Sequence, residues 1–149
     1  MYKRILIATD GSELAVKGLQ KGLELAAQLG AHVDIVNVSE PWAIGMYDAM
    51  GWSAGYEASA EYRQDRETAA QNILQPALET ARAAGVSDVL GHHVLDRYAA
   101  DGIIETAAAC SSDLLVMTSH GRRGVTRVLL GSQTAEVLAR STVPVLVIR

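Results

Sequence analysis

The chain is poor in thiols. Cys110 is its single cysteine in 149 residues, which excludes an internal disulfide and any multi-cysteine zinc or iron–sulfur centre. It lacks a surplus of positive charge. Thirteen Lys and Arg face 17 Asp and Glu, for a net charge of −4 and a pI near 5.5. A general nucleic-acid binder carries a basic face and a high pI, so nucleic acid is not an expected partner. No apolar run approaches the ~20 residues of a membrane span, so a membrane is not expected either. Met1-Tyr2-Lys3-Arg4 leads straight into Ile5-Leu6-Ile7, without the apolar region and small-residue cleavage site of a secretory signal. The expected setting is the cytoplasm. No repeat, charged tail or Pro/Ser-rich linker divides the sequence, and residues 1–149 read as one domain. With 49% hydrophobic and 20% charged residues the profile is globular. A domain of this size buries about 70% of the surface of its unfolded chain, enough for one core.

Several nucleotide chemistries are absent by their letters. There is no Gly-x4-Gly-Lys-(Ser/Thr) and hence no Walker P-loop, and no Gly-x-Gly-x2-Gly dinucleotide fingerprint. The protein-kinase signatures are missing. A phospho-receiver domain shares the alternation of strands and helices described below, but it resembles a pattern with an acidic pair after the first strand. Asp10 follows Ala8-Thr9 and has no acidic neighbour.

What is present is a regular alternation. Ile5–Ala8 is a short apolar run closed by Thr9-Asp10-Gly11-Ser12, the signature of a buried strand. Residues 12–29 predict a helix with Ser12 as N-cap, Glu13 in its first turn and an apolar stripe through Ala15, Leu19, Gly22, Leu23, Ala26 and Leu29. Gly18 and Gly22 weaken that helix but permit close approach to a sheet. Gly30 stops it. Residues 31–38 predict a strand and 61–84 a second helix, in which Pro76 is expected to produce a kink or a break. A third strand is expected over 88–95, a helix over 99–110, a buried strand over 114–117, a short helix over 132–140 and a last strand over 144–148. Pro144 is tolerated at that strand's first position. Strands alternating with helices imply an α/β fold, a parallel sheet covered on both faces. The connection 39–60 is unusually long and holds both tryptophans, Trp42 and Trp52. It reads either as a lid or interaction surface, or as a loop whose aromatics pack on the domain.

In open parallel sheets ligands bind beyond the carboxyl ends of the strands. Two stretches should meet there: Thr9–Ser12, and Thr118-Ser119-His120-Gly121-Arg122-Arg123-Gly124 continuing to Gly131-Ser132-Gln133-Thr134. The second has the parts of a phosphate cradle. Gly121 and Gly124 permit close backbone approach, successive N–H groups form an anion nest, and Gly131-Ser132 opens a helix whose free N–H groups favour phosphate. Ser132 and Thr134 add hydroxyls, and Arg122, Arg123 and Arg127 add positive charge. A plain glycine-containing loop before a Ser-capped helix has the same composition, so the spacing decides.

That spacing, Gly121, nine residues, then Gly131-Ser132, resembles the nucleotide motif Gly-x2-Gly-x9-Gly-(Ser/Thr) of the universal stress protein family. The resemblance runs the length of the chain. It takes in Ile5-Leu-Ile-Ala-Thr-Asp-Gly-Ser12, Asp113-Leu-Leu-Val-Met117, Ser119–Gly124 and Val143-Pro-Val-Leu-Val147. It implies a Rossmann-like, open five-stranded parallel sheet of order 3-2-1-4-5 with helices on both faces, usually dimeric, and an ATP site at the ends of strands one and four. By position, the resemblance puts Asp10 against the adenosine and Ala8 and Val38 along the base pocket. Met117 and His120 would border the site, and Gly121, Gly131, Ser132, Gln133 and Thr134 would surround the phosphates. Mg²⁺ would arrive coordinated by phosphates and water, with no ligand from the protein alone. The sequence departs from the motif at its first glycine, which is Thr118. If that position demands a glycine-only conformation, threonine costs ~1–3 kcal/mol of strain. If it demands only space, the methyl intrudes while the hydroxyl becomes a donor to phosphate.

Other polar residues invite less. His92 and His93 are neighbours on a predicted strand and point to opposite faces, so they do not chelate one metal. No spaced His/Asp/Glu set suggests a metal centre, and Cys110 reads as a small buried hydrophobe. Three functions stay open. A regulatory module would bind ATP or another adenine nucleotide and hydrolyse it slowly or not at all, since no base positions water and no residues are dedicated to a metal. A nucleotide-free interaction protein would act through its surface and the 39–60 loop. An ATP-dependent enzyme would use the same sheet edge. The C-terminal strand, Val143 to Ile148, would lie last in the 3-2-1-4-5 order, where an unprotected edge invites pairing into a homodimer.

Overall fold

The structure, a computed structural model, describes residues 1–41, 59–119 and 130–149. The loop aromatics Trp42 and Trp52 lie outside these residues, as do His120, Gly121, Arg122, Arg123, Gly124 and Arg127 of the cradle. The described elements alternate: β1 (Arg4–Ala8), α1 (Glu13–Leu29), β2 (His32–Ser39), α2 (Ala60–Ala83), β3 (Val89–Leu95), α3 (Ala99–Ala109), β4 (Leu114–Thr118), α4 (Ser132–Arg140) and β5 (Val145–Ile148). The strands form one sheet of order β3-β2-β1-β4-β5, every pair parallel. This is the expected architecture, and element boundaries differ from the sequence reading by a residue at most.

The strands alternate their side chains between two covered faces. Ile5, Ile7, Val33, Ile35, Leu114 and Val116 pack with Leu19, Leu23 and Ala26 of α1 and Leu74, Ala77 and Ala81 of α2. Leu6, Val36, Leu115 and Met117 pack on the other face with Ala100, Ile103 and Ala107 of α3 and Val137 of α4. Ile5, Leu6 and Ile7 have no exposed surface. Burying each such side chain contributes roughly 1.5–3 kcal/mol, which is why central β1 reads as an unbroken apolar run.

Local signals set the helix ends. The Ser12 hydroxyl accepts the Ala15 N–H at 3.2 Å, and Gly30 closes α1 with φ of 62°, a left-handed conformation that glycine adopts without penalty. Ser59 caps α2 through the Tyr62 N–H at 3.1 Å. Helix α2 runs through Pro76 as one element, so the expected break into two helices does not occur. Leu74 and Ala77 on either side of the proline are both buried, and Pro76 itself is exposed. Packing of the apolar stripe outweighs the lost backbone hydrogen bond. Pro144 precedes β5 rather than opening it, and its carbonyl accepts the Leu115 N–H at 3.0 Å.

Candidate functional site

The strand order places a switch point between β1 and β4. The chain leaves β1 for α1, on one face of the sheet, and leaves β4 towards α4, on the other. A crevice therefore opens beyond the carboxyl ends of these two strands, the place where such sheets bind ligands. Residues of both sequence stretches border it.

The first lip is tightly held. The Thr9 N–H continues the ladder to the Val36 carbonyl at 3.0 Å. Asn37, buried in β2, donates its side-chain amide to the Thr9 carbonyl at 3.0 Å. Asp10 is half-buried and its Oδ1 accepts the Ser12 N–H at 2.9 Å, while Gly11 takes a φ of 77°. This turn presents Asp10 at the entrance to α1. Ala8 and Val38, both half-buried, pack against the cluster containing Met117. The two predicted base-pocket residues and Met117, predicted to border the site, therefore share one face of the sheet. Gly102 of α3 approaches that wall so closely that a Cβ there would stand 2.8 Å from Val38 Cγ2.

The second lip joins β4 to α4. The Gly131 N–H donates to the Ser119 carbonyl at 2.8 Å. The Thr134 hydroxyl, buried, donates to the Thr118 carbonyl at 3.0 Å and lies 3.3 Å from the Ser119 carbonyl. Its proton thus serves the junction itself. Gln133 Oε1 accepts the Ala100 N–H at 2.8 Å, and Glu40 Oε1 accepts the Ala99 N–H at 3.3 Å. Together they serve the start of α3, whose N-cap Tyr98 makes no side-chain cap bond. Ser132 is exposed. The N-cap of α4 is Gly131, which has no side chain to cap the helix, and no side-chain cap bond is made among the described residues. The N–H groups of a first helical turn have no partner within the helix; here the cap residue offers them none either.

Thr118 is resolved by its backbone and by its neighbour. It is a buried β4 residue, and Asp96 and Ser111 are the only non-glycine residues with positive φ among those described. The glycine-only conformation considered for this position is therefore not required. Its methyl points to α1, where a Cβ built on Gly18 would lie 2.3 Å from Thr118 Cγ2. The side chain occupies space that Gly18 leaves, on the face of the sheet opposite Met117.

Elsewhere, the two histidines of β3 do point apart. His93 lies 2.8 Å from Ser39 Oγ and 2.7 Å from Glu67 Oε2. His92 Nε2 lies 2.7 Å from Asp34 Oδ1 and 3.6 Å from Cys110 Sγ. Cys110 is thus not the buried hydrophobe expected of it. It is half-exposed at the C-cap of α3, and burial, reinforced by the Asp34 charge, pushes its thiol up despite Arg4 nearby. The sequence reading passed over Asp34 altogether. Its signal was a carboxylate inside a doubly covered strand. Tyr62, 1% exposed, was also missed; its hydroxyl donates to Asp96 Oδ1 at 2.8 Å and ties α2 to the end of β3.

Comparisons with known proteins agree with this architecture. The model of the universal stress protein family matches residues 1–149. A universal stress protein of Methanocaldococcus jannaschii is 27% identical over 149 residues, all of this chain and 83% of that one. One from Thermus aquaticus is 29% identical over the full length of both chains. A crystal structure of a universal stress protein in complex with cAMP is 26% identical, with a TM-score of 0.75, covering 99% of this chain and 97% of that one. With the sheet order, the crevice and a family match spanning the whole sequence, the chain belongs to the universal stress protein family.

Proposed function

We propose that this protein is a stress-response regulatory module that binds an adenine nucleotide, ATP with Mg²⁺, in the β1–β4 crevice and hydrolyses it slowly or not at all. The observation that carries the reading is the start of α4. A helix that begins at the switch point with a glycine N-cap turns its first-turn N–H groups and positive dipole end towards the crevice, an arrangement that suits an anion. Ser132 adds an exposed hydroxyl. Gln133 and Thr134, whose side chains serve the fold, contribute through their backbone N–H groups. Gly131 allows close approach; the roles proposed for His120 and Gly121 at the site's border and phosphates rest on the family motif alone, because both lie outside the described residues. Ala8, Val38 and Met117 offer the apolar wall that a purine needs, and Asp10 an acceptor for the adenosine. Mg²⁺ comes with the phosphates. The complex of a 26% identical relative with cAMP supports an adenine ligand of this kind.

Nucleotide-stripped protein titrated calorimetrically with Mg-ATP, with Mg-GTP alongside, tests this. Saturable ATP heat that is lost in Gly131→Ala is expected. Absence of both heat and any change in melting temperature would return the protein to the nucleotide-free class. We further propose a cytoplasmic homodimer through Val143–Ile148. β5 ends the sheet, and Leu146 on it is 37% exposed. A light-scattering mass of one chain at micromolar concentration would contradict that pairing. No described helix is long and apolar enough to cross a membrane.

A further inference from the structure

The amino half of the sheet, away from the nucleotide crevice, holds a polar cluster on the α3–α4 face. Asp34 of β2 is 1% exposed and lies between Leu6 and Leu90 in register. His92 Nε2 lies 2.7 Å from its Oδ1 and 3.6 Å from Cys110 Sγ, and one ligand atom from each of the three residues lies within 4.8 Å of the others. We propose that Asp34, His92 and Cys110 form a binding site for a divalent transition-metal ion of zinc type.

Three observations carry this. The first is the donor set: a carboxylate, an imidazole and a thiol suit borderline-soft Zn²⁺ rather than Mg²⁺ or Ca²⁺. The second is spacing. A tetrahedral ion with bonds of ~2.0–2.3 Å sets its ligands about 3.3–3.7 Å apart. The His92–Cys110 distance of 3.6 Å already fits, and the 2.7 Å His92–Asp34 contact needs to open by under about 1 Å. The third is a polar pair that the fold leaves incomplete. His32 Nδ1 stands 2.8 Å from Asp88 Oδ1. Its Nε2 faces Asp34 Oδ2 at 3.1 Å, and both buried atoms lack a hydrogen bond. The Asp88–His32 arrangement is the carboxylate–imidazole support that orients metal sites. An ion gripping both oxygens of Asp34 would meet His32 as a further donor. The resident competitor is Arg4, whose Nη2 lies 3.6 Å from Asp34 Oδ2 and whose Nε donates to the Cys110 carbonyl at 2.7 Å. Binding replaces the Cys110 thiol proton, released to solvent, with the metal–sulfur bond; the proton between His92 Nε2 and Asp34 Oδ1 must leave Nε2, and the ring stays neutral with its one proton on Nδ1.

The test is an optical titration of the reduced, chelator-treated full chain with Co²⁺, followed by displacement with Zn²⁺. A thiolate-to-cobalt charge-transfer band that saturates at one ion per chain is expected. Cys110→Ser should abolish the band. His92→Gln and Asp34→Asn should weaken binding by at least ~10-fold, and Arg4→Gln should tighten it. Circular dichroism confirms the fold of each variant, and His92, less buried than Asp34, gives the variant least exposed to unfolding. The proposal is overturned if the wild-type chain shows no band. It is equally overturned if folded His92→Gln binds cobalt as tightly as the wild type, which would reduce the site to an isolated thiol.

Discussion

Gly18→Ala offers a direct test of how Thr118 is accommodated. In α1 the exchange of glycine for alanine should by itself stabilise the helix by about 1 kcal/mol. Here the added Cβ would sit 2.3 Å from Thr118 Cγ2, well inside contact distance, so strand and helix must part or Thr118 must leave its rotamer. Overpacking of this kind costs typically 1–3 kcal/mol, and the net expectation is a loss of up to about 2 kcal/mol. Thr118→Ser removes the methyl alone. Its own cost is the burial of about one CH₂, ~0.8 kcal/mol. In the double variant the nearest remaining atoms to the new Cβ are Ile148 Cβ and Thr118 Cβ, both at 3.8 Å, an ordinary contact. Gly18→Ala should therefore become stabilising in the serine background, with a coupling energy of about 1–3 kcal/mol. Urea denaturation of the four proteins measures it. Effects that add to within about 0.5 kcal/mol would mean that the two residues do not share this space, and the account of Thr118 would fail.

Other perturbations have equally definite outcomes. Thr118→Gly should leave Mg-ATP affinity within a few-fold of wild type, because its side chain faces α1; a large gain in calorimetry would show that the methyl obstructs the ligand. Pro76→Ala should stabilise the protein by up to ~3 kcal/mol less the ~0.4–1 kcal/mol gained in the unfolded chain, and a lower melting temperature would contradict an uninterrupted α2. Asp113 accepts the Lys3 and Arg4 N–H groups at 2.8 and 3.0 Å; burial pushes its carboxyl up, but these backbone donors prevail and hold it below the usual range. Its stabilising contribution is thus complete above the ordinary carboxylate pKa and disappears as pH falls through the lowered value. Asp113→Asn should lower the melting temperature near neutral pH, and the gap to wild type should close as pH falls below the ordinary carboxylate range; a gap that widens in acid would refute it.

Most of the fold was legible because its signals are local. Ser12 and Ser59 announce helices, Gly30 stops one, and apolar runs such as Ile5–Ile7 mark strands buried on both sides. Pro76 does not divide α2, because the tertiary packing of Leu74 and Ala77 offsets the local cost of a helical proline. Asp34, His92 and Cys110 were not legible as a set. They stand 58 and 18 residues apart and meet only through parallel pairing of β2 with β3 and the return of α3 over the sheet. The available clue was the pattern of His32 and Asp34, two polar residues spaced by two on a strand with covered faces.

The Thr118 question shows why a motif letter needs a direction as well as a position. Strand side chains alternate, so once Met117 is assigned to the α3–α4 face with Ala8 and Val38, Thr118 must face α1. What limits the residue at this position is then the helix packed behind the sheet. Gly18 provides the room there, and at the motif's first position this chain can carry a threonine without a positive φ or a side chain aimed at the proposed purine wall. The constraint on ligand binding passes instead to the backbone: the carbonyls of Thr118 and Ser119 fix Thr134 and Gly131, and through them the point at which α4 begins. A substitution that shifts that junction, such as Thr134→Val, should weaken nucleotide binding more than any change to the Thr118 side chain. It would leave one buried carbonyl pair without its hydroxyl and free the first turn of α4 to move. Calorimetry of Thr134→Val beside Thr118→Ser distinguishes the two, and equal losses would show that the side chain at 118 reaches the ligand after all.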